Sequence, residues 1–328
     1  MFKVLITPRS YGMFTEDIMN KWREEEFEVI REVGPISESR FIELIQDVQA
    51  LIIGTDHLSK EVLNHASELK IIAKYGAGTD NIPKEYATQK GIVVVNTPGV
   101  NHEAVADYAF GLMLSVARQI SLSSQRLRKG QWTKNVGVEL YGKTLGILGF
   151  GAIGKAVARR AKGFQMDILV YDIFQDEQAA TEYGATYVQI NELLKKSDVV
   201  SVHMPLVPET TNLLNYQMMK KMKKEAILIN TARGGIINET DLFHILKEEK
   251  ILGAGIDVFS VEPPTDSPLL ELDNAVLTPH NAAASKEAIE RMTLQSTHSV
   301  IKFFQREISK GQGGNQHVTQ TGSYEWYL

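Results

Sequence analysis

Residues 144–154 read Thr-Leu-Gly-Ile-Leu-Gly-Phe-Gly-Ala-Ile-Gly, an apolar run that ends in the spacing Gly149-x-Gly151-x-x-Gly154. A helical pattern over residues 155–164 follows directly. Glycines at this spacing permit a tight turn and a close backbone approach, so amides at the start of a helix can meet a pyrophosphate. The stretch therefore predicts a strand, a phosphate-binding turn and a helix, which together form a dinucleotide site.

An acidic residue stands where such a site needs one. The next apolar run ends at Asp172, 23 residues after Gly149. A separation of about 20 residues is expected for a carboxylate that binds the ribose hydroxyls of the dinucleotide. The following residues, Ile173, Phe174 and Gln175, include no lysine or arginine that could accept a 2′-phosphate. The sequence therefore predicts NAD rather than NADP as the cofactor.

Short apolar runs alternate with helical patterns along the rest of the chain, which is typical of parallel βαβ units. The pattern predicts an α/β protein built from two doubly wound parallel sheets. Helical patterns separate the runs, for example over residues 14–25 and 37–46. The predicted strands are residues 2–6, 27–30, 50–53, 69–73 and 92–95, and then 144–148, 167–171, 187–188, 199–203, 226–230, 253–256 and 275–277.

The length of 328 residues also favours two domains, at about 150 residues per domain. We expect a cofactor domain over residues 101–284 to be inserted into a second domain made of residues 1–100 and 285–309. A helical pattern over residues 285–304 would return the chain to that second domain. The remaining residues, 310–328, are glycine-rich with little periodicity, and we expect a flexible tail.

Composition excludes several classes of protein. The chain has no cysteine, which removes disulfide scaffolds, thiolate zinc sites and cysteine nucleophiles and is compatible with a reducing cytoplasm. A net charge of -5 argues against a nucleic-acid-binding surface. No apolar run reaches membrane-spanning length. No group of acids and histidines has metal-site spacing, so we predict no metal.

The segment from Asn101 to about Arg128 is apolar on more than one helical face. A helix of this kind must be buried on most sides. We expect a homodimer contact somewhere along this helix and the following loop through Trp132. The alternative is simple burial within one chain.

Polar residues that suit hydride transfer to a small oxo acid follow three predicted strands. Arg233 lies in Asn-Thr-Ala-Arg-Gly-Gly, Glu262 in Asp257-Val-Phe-Ser-Val-Glu-Pro-Pro, and His280 in Thr-Pro-His. Ligands bind at the carboxyl ends of parallel strands in this architecture. An arginine offers a planar donor fork that matches a carboxylate. A carboxylate beside an imidazole stabilises the protonated ring, which can then donate a proton.

These motifs, together with Lys74-Tyr-Gly-Ala-Gly-Thr-Asp-Asn81 and Asn96-Thr-Pro-Gly99, resemble the D-isomer-specific 2-hydroxyacid dehydrogenases, and most of all their phosphoglycerate dehydrogenase-like branch. The resemblance runs from the first strand to about Phe304. It implies a flavodoxin-like substrate domain and a Rossmann cofactor domain. It also implies that Arg233 anchors the substrate, that His280 is the acid/base and that Glu262 pairs with it.

The resemblance assigns further residues to binding. The amides of Gly76, Ala77 and Gly78 would contact the substrate carboxylate, and Asp257 would contact the nicotinamide amide. Apart from the resemblance, Arg9 and Lys74 follow the first and fourth predicted strands, and from there they could bind a phosphate or a second carboxylate. The implied cofactor contacts are Gly149, Gly151, Ala152, Ile153, Gly154, Asp172, His203, Pro205, Thr231, Ala232, Asp257 and Ala283.

The resulting expectation is an NAD-dependent dehydrogenase that acts on a D-2-hydroxy acid and its 2-keto acid, with 3-phosphoglycerate as the first substrate to test. A glyoxylate or hydroxypyruvate reductase is the alternative within the class, and an NAD(H)-sensing protein resembling the corepressors of the family is the alternative outside it. Asn281, Ala283 and Asp107 depart from residues frequent in the family, which leaves the substrate open.

Overall fold

The computed structural model describes residues 1–312 of the chain. The strands in this part are β1 (Phe2–Ile6), β2 (Phe27–Arg31), β3 (Ala50–Ile53), β4 (Ile71–Lys74), β5 (Val93–Val95), β6 (Thr144–Leu148), β7 (Asp167–Tyr171), β8 (Ala185–Tyr187), β9 (Val199–Val202), β10 (Ile227–Asn230), β11 (Gly253–Ile256) and β12 (Ala275–Leu277). The α-helices are α1 (Ile18–Glu24), α2 (Glu38–Ile45), α3 (Lys60–His65), α4 (Lys84–Gln89), α5 (His102–Ala117), α6 (Ile120–Arg128), α7 (Ala152–Ala161), α8 (Glu177–Tyr183), α9 (Ile190–Lys196), α10 (Tyr216–Met219), α11 (Glu239–Lys247) and α12 (Lys286–Gln312).

The chain divides into two compact units, each built on one parallel sheet. Among the described residues, unit 1 contains residues 1–75, 81–97 and 293–312, and its strand order is β2-β1-β3-β4-β5. This is the flavodoxin-like order of a doubly wound sheet. Every residue of β3 and β4 is buried, as expected for central parallel strands covered on both faces.

Unit 2 contains residues 76–80 and 98–292. Its strand order is β12-β11-β10-β9-β6-β7-β8, with every pair parallel. The six strands from β8 to β11 have the Rossmann order, and β12 extends the sheet beyond β11. One face packs against α5, α7 and α8, and the other against α9, α10 and α11. These structures confirm the predicted fold class.

Helix α5 lies unusually close to the sheet of unit 2, because two glycines in β11 make room for it. A Cβ added at Gly255 would lie 2.9 Å from the Cβ of Leu112, and one at Gly253 would lie 2.8 Å from Cγ1 of Val116. Nine of the sixteen residues of α5 are buried. The apolar character of this helix is therefore satisfied in large part within unit 2.

The structure corrects several predicted elements. The helix expected from Asn101 to about Arg128 is two helices, because Gln119 adopts φ 53° and ends the regular hydrogen bonding between α5 and α6. Helix α1 begins at Ile18, not at residue 14, since Asp17 also adopts a left-handed backbone. Strand β8 is Ala185–Tyr187, so it begins two residues and ends one residue before the predicted strand. Other strand ends differ by one or two residues.

The unit boundaries differ from those expected for the domains at residues 76–80, 98–100 and 285–292. The first turns of α12, up to Met292, group with unit 2, where Arg291 Nε donates to the carbonyl of Val100 at 2.7 Å. The short segment Gly76–Asp80 also groups with unit 2. Helix α12 continues to Gln312, and the rest of the expected tail lies outside the described residues. No helix within residues 1–312 has both the length and the apolar composition needed to cross a membrane.

The turn between β6 and α7 yields a test of packing. A Cβ at Gly154 would lie 2.2 Å from the carbonyl oxygen of Gly149, so Gly154→Ala must displace backbone. We expect a loss of about 1–3 kcal/mol in the free energy of unfolding, measured by denaturant titration. Gly163→Ala is the matched control, because a Cβ there meets nothing within 4 Å. Equal stability of the two variants would contradict this packing.

Candidate active site

The glycine turn has the geometry that a dinucleotide pyrophosphate requires. Gly149 has φ +95°, and a Cβ there would lie 2.7 Å from the backbone of His203. Gly154 packs helix α7 against the turn. A Cβ at Gly151, in contrast, would meet no protein atom within 4 Å, so this side of the turn is open to a ligand. Ala152 and Ile153 begin α7, whose unpaired amides and helix dipole favour an anion.

Asp172 follows β7 and is held beside this turn. Its Oδ2 accepts a hydrogen bond from the amide of Phe150 at 2.6 Å, and its Oδ1 accepts from the amide of Phe174 at 3.1 Å. The nearby Lys155 is paired with Asp176 at 2.6 Å. A fixed carboxylate at this position suits ribose hydroxyls and repels a 2′-phosphate.

Two buried polar atoms at the ends of β9 and β10 have no hydrogen-bond partner among the described residues. They are Nδ1 of His203 and Oγ1 of Thr231. Burial lowers the pKa of His203 to about 3, so the ring is neutral, and its Nε2 is bonded to Ser201 Oγ at 2.8 Å. Unpaired buried polar groups are costly, so these atoms are suited to a polar ligand. Pro205 and Ala232 stand beside them in the chain, and the whole set fits NAD.

Glu262 and His280 lie within hydrogen-bond distance of each other. His280 Nδ1 lies 2.9 Å from Glu262 Oε2, and Glu262 Oε1 accepts from the amide of Phe259 at 3.1 Å. Burial raises the pKa of Glu262, but the hydrogen bond and charge of His280, together with the charge of Arg233, outweigh it and lower that pKa overall. The carboxylate therefore remains ionised at neutral pH, and its bond to Nδ1 leaves Nε2 of His280 for another partner.

Asp257 supports the turn that carries His280. Its side chain is fully buried, and its Oδ1 accepts from Thr278 Oγ1 at 2.6 Å and from the amide of Asn281 at 2.8 Å. Its Oδ2 accepts from the amide of Ala282 at 2.8 Å. Burial raises the pKa of Asp257, although these hydrogen bonds oppose the shift. Ala283, an expected cofactor contact, follows in the same turn and is half-buried.

Arg233 follows β10 and is fixed on several sides. Its Nε donates to Asp80 Oδ1 at 2.7 Å, and its Nη1 donates to the carbonyl of Ala232 at 2.7 Å. Asn230 closes the turn, since its Nδ2 donates to the carbonyl of Arg233 at 2.9 Å. The guanidinium lies against Gly78, where a Cβ would be 1.3 Å from Nη2. Arg233 and the predicted carboxylate-binding segment, Gly76 to Gly78, are thus brought together.

Sequence reasoning gave no role to two of these residues. Asp80 stood within the motif ending at Asn81, but its partner Arg233 is 153 residues away and no local pattern connects them. Asn230 is the last residue of β10 and precedes Arg233 by three residues, so a polar residue at a strand end was the one signal for its role. Polar side chains at such positions commonly cap the turn that follows.

The two basic residues expected to bind a phosphate both lie in unit 1. Lys74 is buried, and its Nζ donates to the carbonyl of Gly54 and, at 2.9 Å, to Asn81 Oδ1. Arg9 is exposed, and its Nη2 contacts the carbonyl of Gly34 at 3.4 Å. Residues 1–312 hold no cluster of three or more histidine or acidic side chains arranged to hold a metal.

Comparison with known proteins agrees with this geometry. The model of the D-isomer specific 2-hydroxyacid dehydrogenase NAD binding domain matches residues 110–282. Glyoxylate reductase of Korarchaeum cryptofilum is 44% identical over 295 residues, which cover 87% of this chain and 89% of that protein. D-3-phosphoglycerate dehydrogenase of Methanocaldococcus jannaschii is 42% identical over 308 residues, which cover 90% of this chain and 59% of that protein.

A solved structure is similar over nearly the whole chain. D-lactate dehydrogenase from Aquifex aeolicus, complexed with NAD and lactic acid, superposes with a TM-score of 0.80 at 29% identity, covering 93% of this chain and 96% of that one. Together with the glycine turn, Asp172 and the paired His280 and Glu262, these similarities show that the chain belongs to the D-isomer specific 2-hydroxyacid dehydrogenase family and is an NAD-dependent oxidoreductase.

Proposed function

We propose that this enzyme reduces short, unphosphorylated 2-keto acids, with glyoxylate and hydroxypyruvate as the first members, to the corresponding 2-hydroxy acids. The proposal is carried by the position of the Arg233 guanidinium. It lies against Gly78, and its charge helps to lower the pKa of Glu262, which is hydrogen-bonded to His280. A carboxylate-binding cation and a proton donor are thus combined in unit 2. Several relatives at 41–46% identity are named glyoxylate reductase or hydroxypyruvate reductase.

Each residue has a defined part in the proposed reaction. Arg233 and the amides of Gly76, Ala77 and Gly78 bind the substrate carboxylate, and Arg233 also polarises the keto oxygen. NADH, when bound, would supply the hydride for the keto carbon. Nε2 of His280 gives its proton to the keto oxygen, which becomes the hydroxyl. Glu262 stabilises the protonated imidazole before transfer and holds Nδ1, so the proton leaves from Nε2.

The cofactor contacts expected from the sequence are proposed for the same unit. The glycine turn and the first residues of α7 would bind the pyrophosphate, and Asp172 the ribose. His203, Pro205, Thr231, Ala232 and Ala283 would contact the nicotinamide half. We assign Asp257 chiefly to support of the 278–282 turn, because both of its oxygens already accept hydrogen bonds from that turn.

A phosphorylated substrate is less well supported. Lys74 Nζ already has a carbonyl and an amide oxygen as acceptors, so directing it to a phosphate would require breaking buried hydrogen bonds. Arg9 alone would then have to provide the charge. The M. jannaschii relative, a D-3-phosphoglycerate dehydrogenase, keeps 3-phosphoglycerate as the second candidate substrate.

The substrate prediction is tested with purified enzyme, NADH and a panel of 2-keto acids. We expect kcat/KM for glyoxylate or hydroxypyruvate to exceed that for 3-phosphohydroxypyruvate by about tenfold or more, a difference of roughly 1.4 kcal/mol in transition-state binding. Arg9→Ala should leave the kcat/KM for unphosphorylated acids unchanged. A preference for the phosphorylated acid that Arg9→Ala abolishes would support 3-phosphoglycerate and contradict this proposal.

We also propose that the enzyme is a homodimer that associates through unit 2. Residues 118–141 carry apolar side chains that the single chain leaves exposed, above all Trp132 at 84% and Val136 at 92%. A groove of about 540 Å³ lies nearby, between the α5–α6 region and residues 270–278. A second copy would cover the exposed side chains of both chains at once, since a two-fold interface repeats each contact.

The dimer is tested by sedimentation equilibrium. We expect the wild-type protein to be dimeric. The double variant Trp132→Ser/Val136→Ser should raise the Kd of the dimer at least about tenfold, because it loses the burial of two large apolar side chains. The control is Val33→Ser/Ile308→Ser, which removes exposed apolar side chains from unit 1. A monomeric wild-type protein, or identical association of both variants, would overturn the proposal.

A further inference from the structure

The segment Gly76–Asp80 is a short loop whose base is closed within unit 1. The chain leaves unit 1 after Tyr75 and re-enters it at Asn81. Lys74 Nζ donates to Asn81 Oδ1 at 2.9 Å, and Asn81 Nδ2 donates to the carbonyls of Gly54 at 3.0 Å and Asp56 at 2.6 Å. The residues on either side of the loop are thus hydrogen-bonded to each other, which limits the positions that the loop can reach.

The last residue of the loop engages the guanidinium of Arg233. Asp80 Oδ1 accepts from Nε at 2.7 Å, while Nη1 donates to the carbonyl of Ala232. The pair is partly shielded, with 26% of the Arg233 side chain exposed. Nε lies at the inner end of the guanidinium. The Asp80 contact therefore fixes the plane of the group without using the Nη2 donors, for which the structure gives no acceptor within residues 1–312.

Gly78 makes this arrangement possible for a steric reason. A Cβ at position 78 would lie 1.3 Å from Nη2 and 2.5 Å from Cζ of Arg233, and 3.0 Å from Asp80 Oδ1. Gly78 does not adopt the left-handed backbone that favours glycine, unlike Gly76 with φ 126°. An alanine could therefore adopt the backbone conformation at position 78, but its methyl group would occupy the space of the guanidinium.

We propose that Asp80 is a positioning residue for substrate binding: it holds the Arg233 guanidinium against Gly78, so that the Nη2 donors are already oriented for the substrate carboxylate before the substrate arrives. This inference rests on the proposed function and extends it. A free arginine side chain samples many rotamers, and ordering it would reduce substrate affinity. The ion pair and the absence of a side chain at position 78 remove that cost.

Substitution can separate two effects of Asp80: its oxygen accepts a hydrogen bond from Arg233, and its negative charge acts on an anionic substrate. Asp80→Asn keeps an oxygen that accepts from Nε but removes the negative charge near an anionic substrate. Asp80→Ala removes the acceptor as well. If Asp80 acts by positioning Arg233, the asparagine variant retains substrate binding and the alanine variant loses it. If Asp80 acts only through its charge, both variants should change substrate affinity in the same direction.

The experiment measures KM and kcat for glyoxylate, inhibition by the unreactive analogue oxamate, and the Kd of NADH by fluorescence. We expect Asp80→Ala and Gly78→Ala to raise KM for glyoxylate and the inhibition constant of oxamate by about tenfold or more, with the Kd of NADH within about twofold of wild type. Asp80→Asn should stay within about threefold of wild type for both glyoxylate and oxamate. Controls are Glu43→Ala, which removes another arginine partner, and Gly163→Ala, where a Cβ meets nothing.

The outcomes separate this inference from the proposed function. The positioning role is overturned if Asp80→Ala keeps the wild-type KM for glyoxylate and inhibition constant of oxamate. It is also overturned if Asp80→Asn loses as much affinity for both compounds as Asp80→Ala does. Either result leaves the proposed function standing. A wild-type enzyme that binds NADH but reduces no 2-keto acid overturns the function instead. If Asp80→Ala fails to fold, as judged by its thermal melt, Gly78→Ala decides the matter, because it leaves Asp80 in place.

Discussion

The hydrogen bonds accepted by the buried carboxylate of Asp257 hold the turn that carries His280, and the proposed chemistry of unit 2 depends on that turn. Asp257 stands at the end of β11, inaccessible to solvent, and its oxygens accept three hydrogen bonds from residues 278–282. The backbone amide of His280 donates in turn to the carbonyl of Asp257 at 2.8 Å, and His280 has φ 51°. A residue other than glycine persists in this conformation only when its surroundings determine it. Asp257 therefore sets the direction in which the imidazole leaves the turn.

The remaining site residues follow from the strand order of unit 2. Because all seven strands are parallel, their carboxyl ends lie along one edge of the sheet. Each strand except the edge strand β8 is followed by a candidate site residue. The residues proposed for phosphate binding, ribose binding, substrate binding and proton transfer therefore follow neighbouring strands of one sheet. From β12 to β7 these residues are His280, Glu262, Arg233, His203, Gly149 and Asp172.

Local signals in the sequence predicted this arrangement well. The glycine spacing 149–154 reflects backbone constraints that act mostly within the turn: a Cβ at Gly149 or Gly154 would clash with backbone, and the space beside Gly151 is open. The fold class, NAD and the pairing of Glu262 with His280 could be predicted for the same reason, since each depends on a strand, a turn and the residue that follows.

Features that depend on distant contacts could not be predicted. Arg233, the partner of Asp80, is 153 residues away, and the hydrogen bonds of Lys74 to Gly54 and Asn81 likewise depend on residues outside its strand. The break between α5 and α6 depends on one left-handed residue, Gln119, of a type that is common inside helices.

The central claim is that Glu262 and His280 act as one proton-transfer unit, and it is tested most directly by the pH dependence of 2-keto acid reduction in wild type and Glu262→Gln. Although burial raises the pKa of Glu262, His280 lowers that pKa overall, so the carboxylate stays ionised at neutral pH. Wild-type activity that depends on the carboxylate therefore falls only as pH drops through that lowered pKa. Glu262→Gln has no carboxylate to protonate, so we expect a lower maximal rate without this loss at acid pH, and NADH binding retained. An unchanged pH profile at an unchanged rate would contradict the claim.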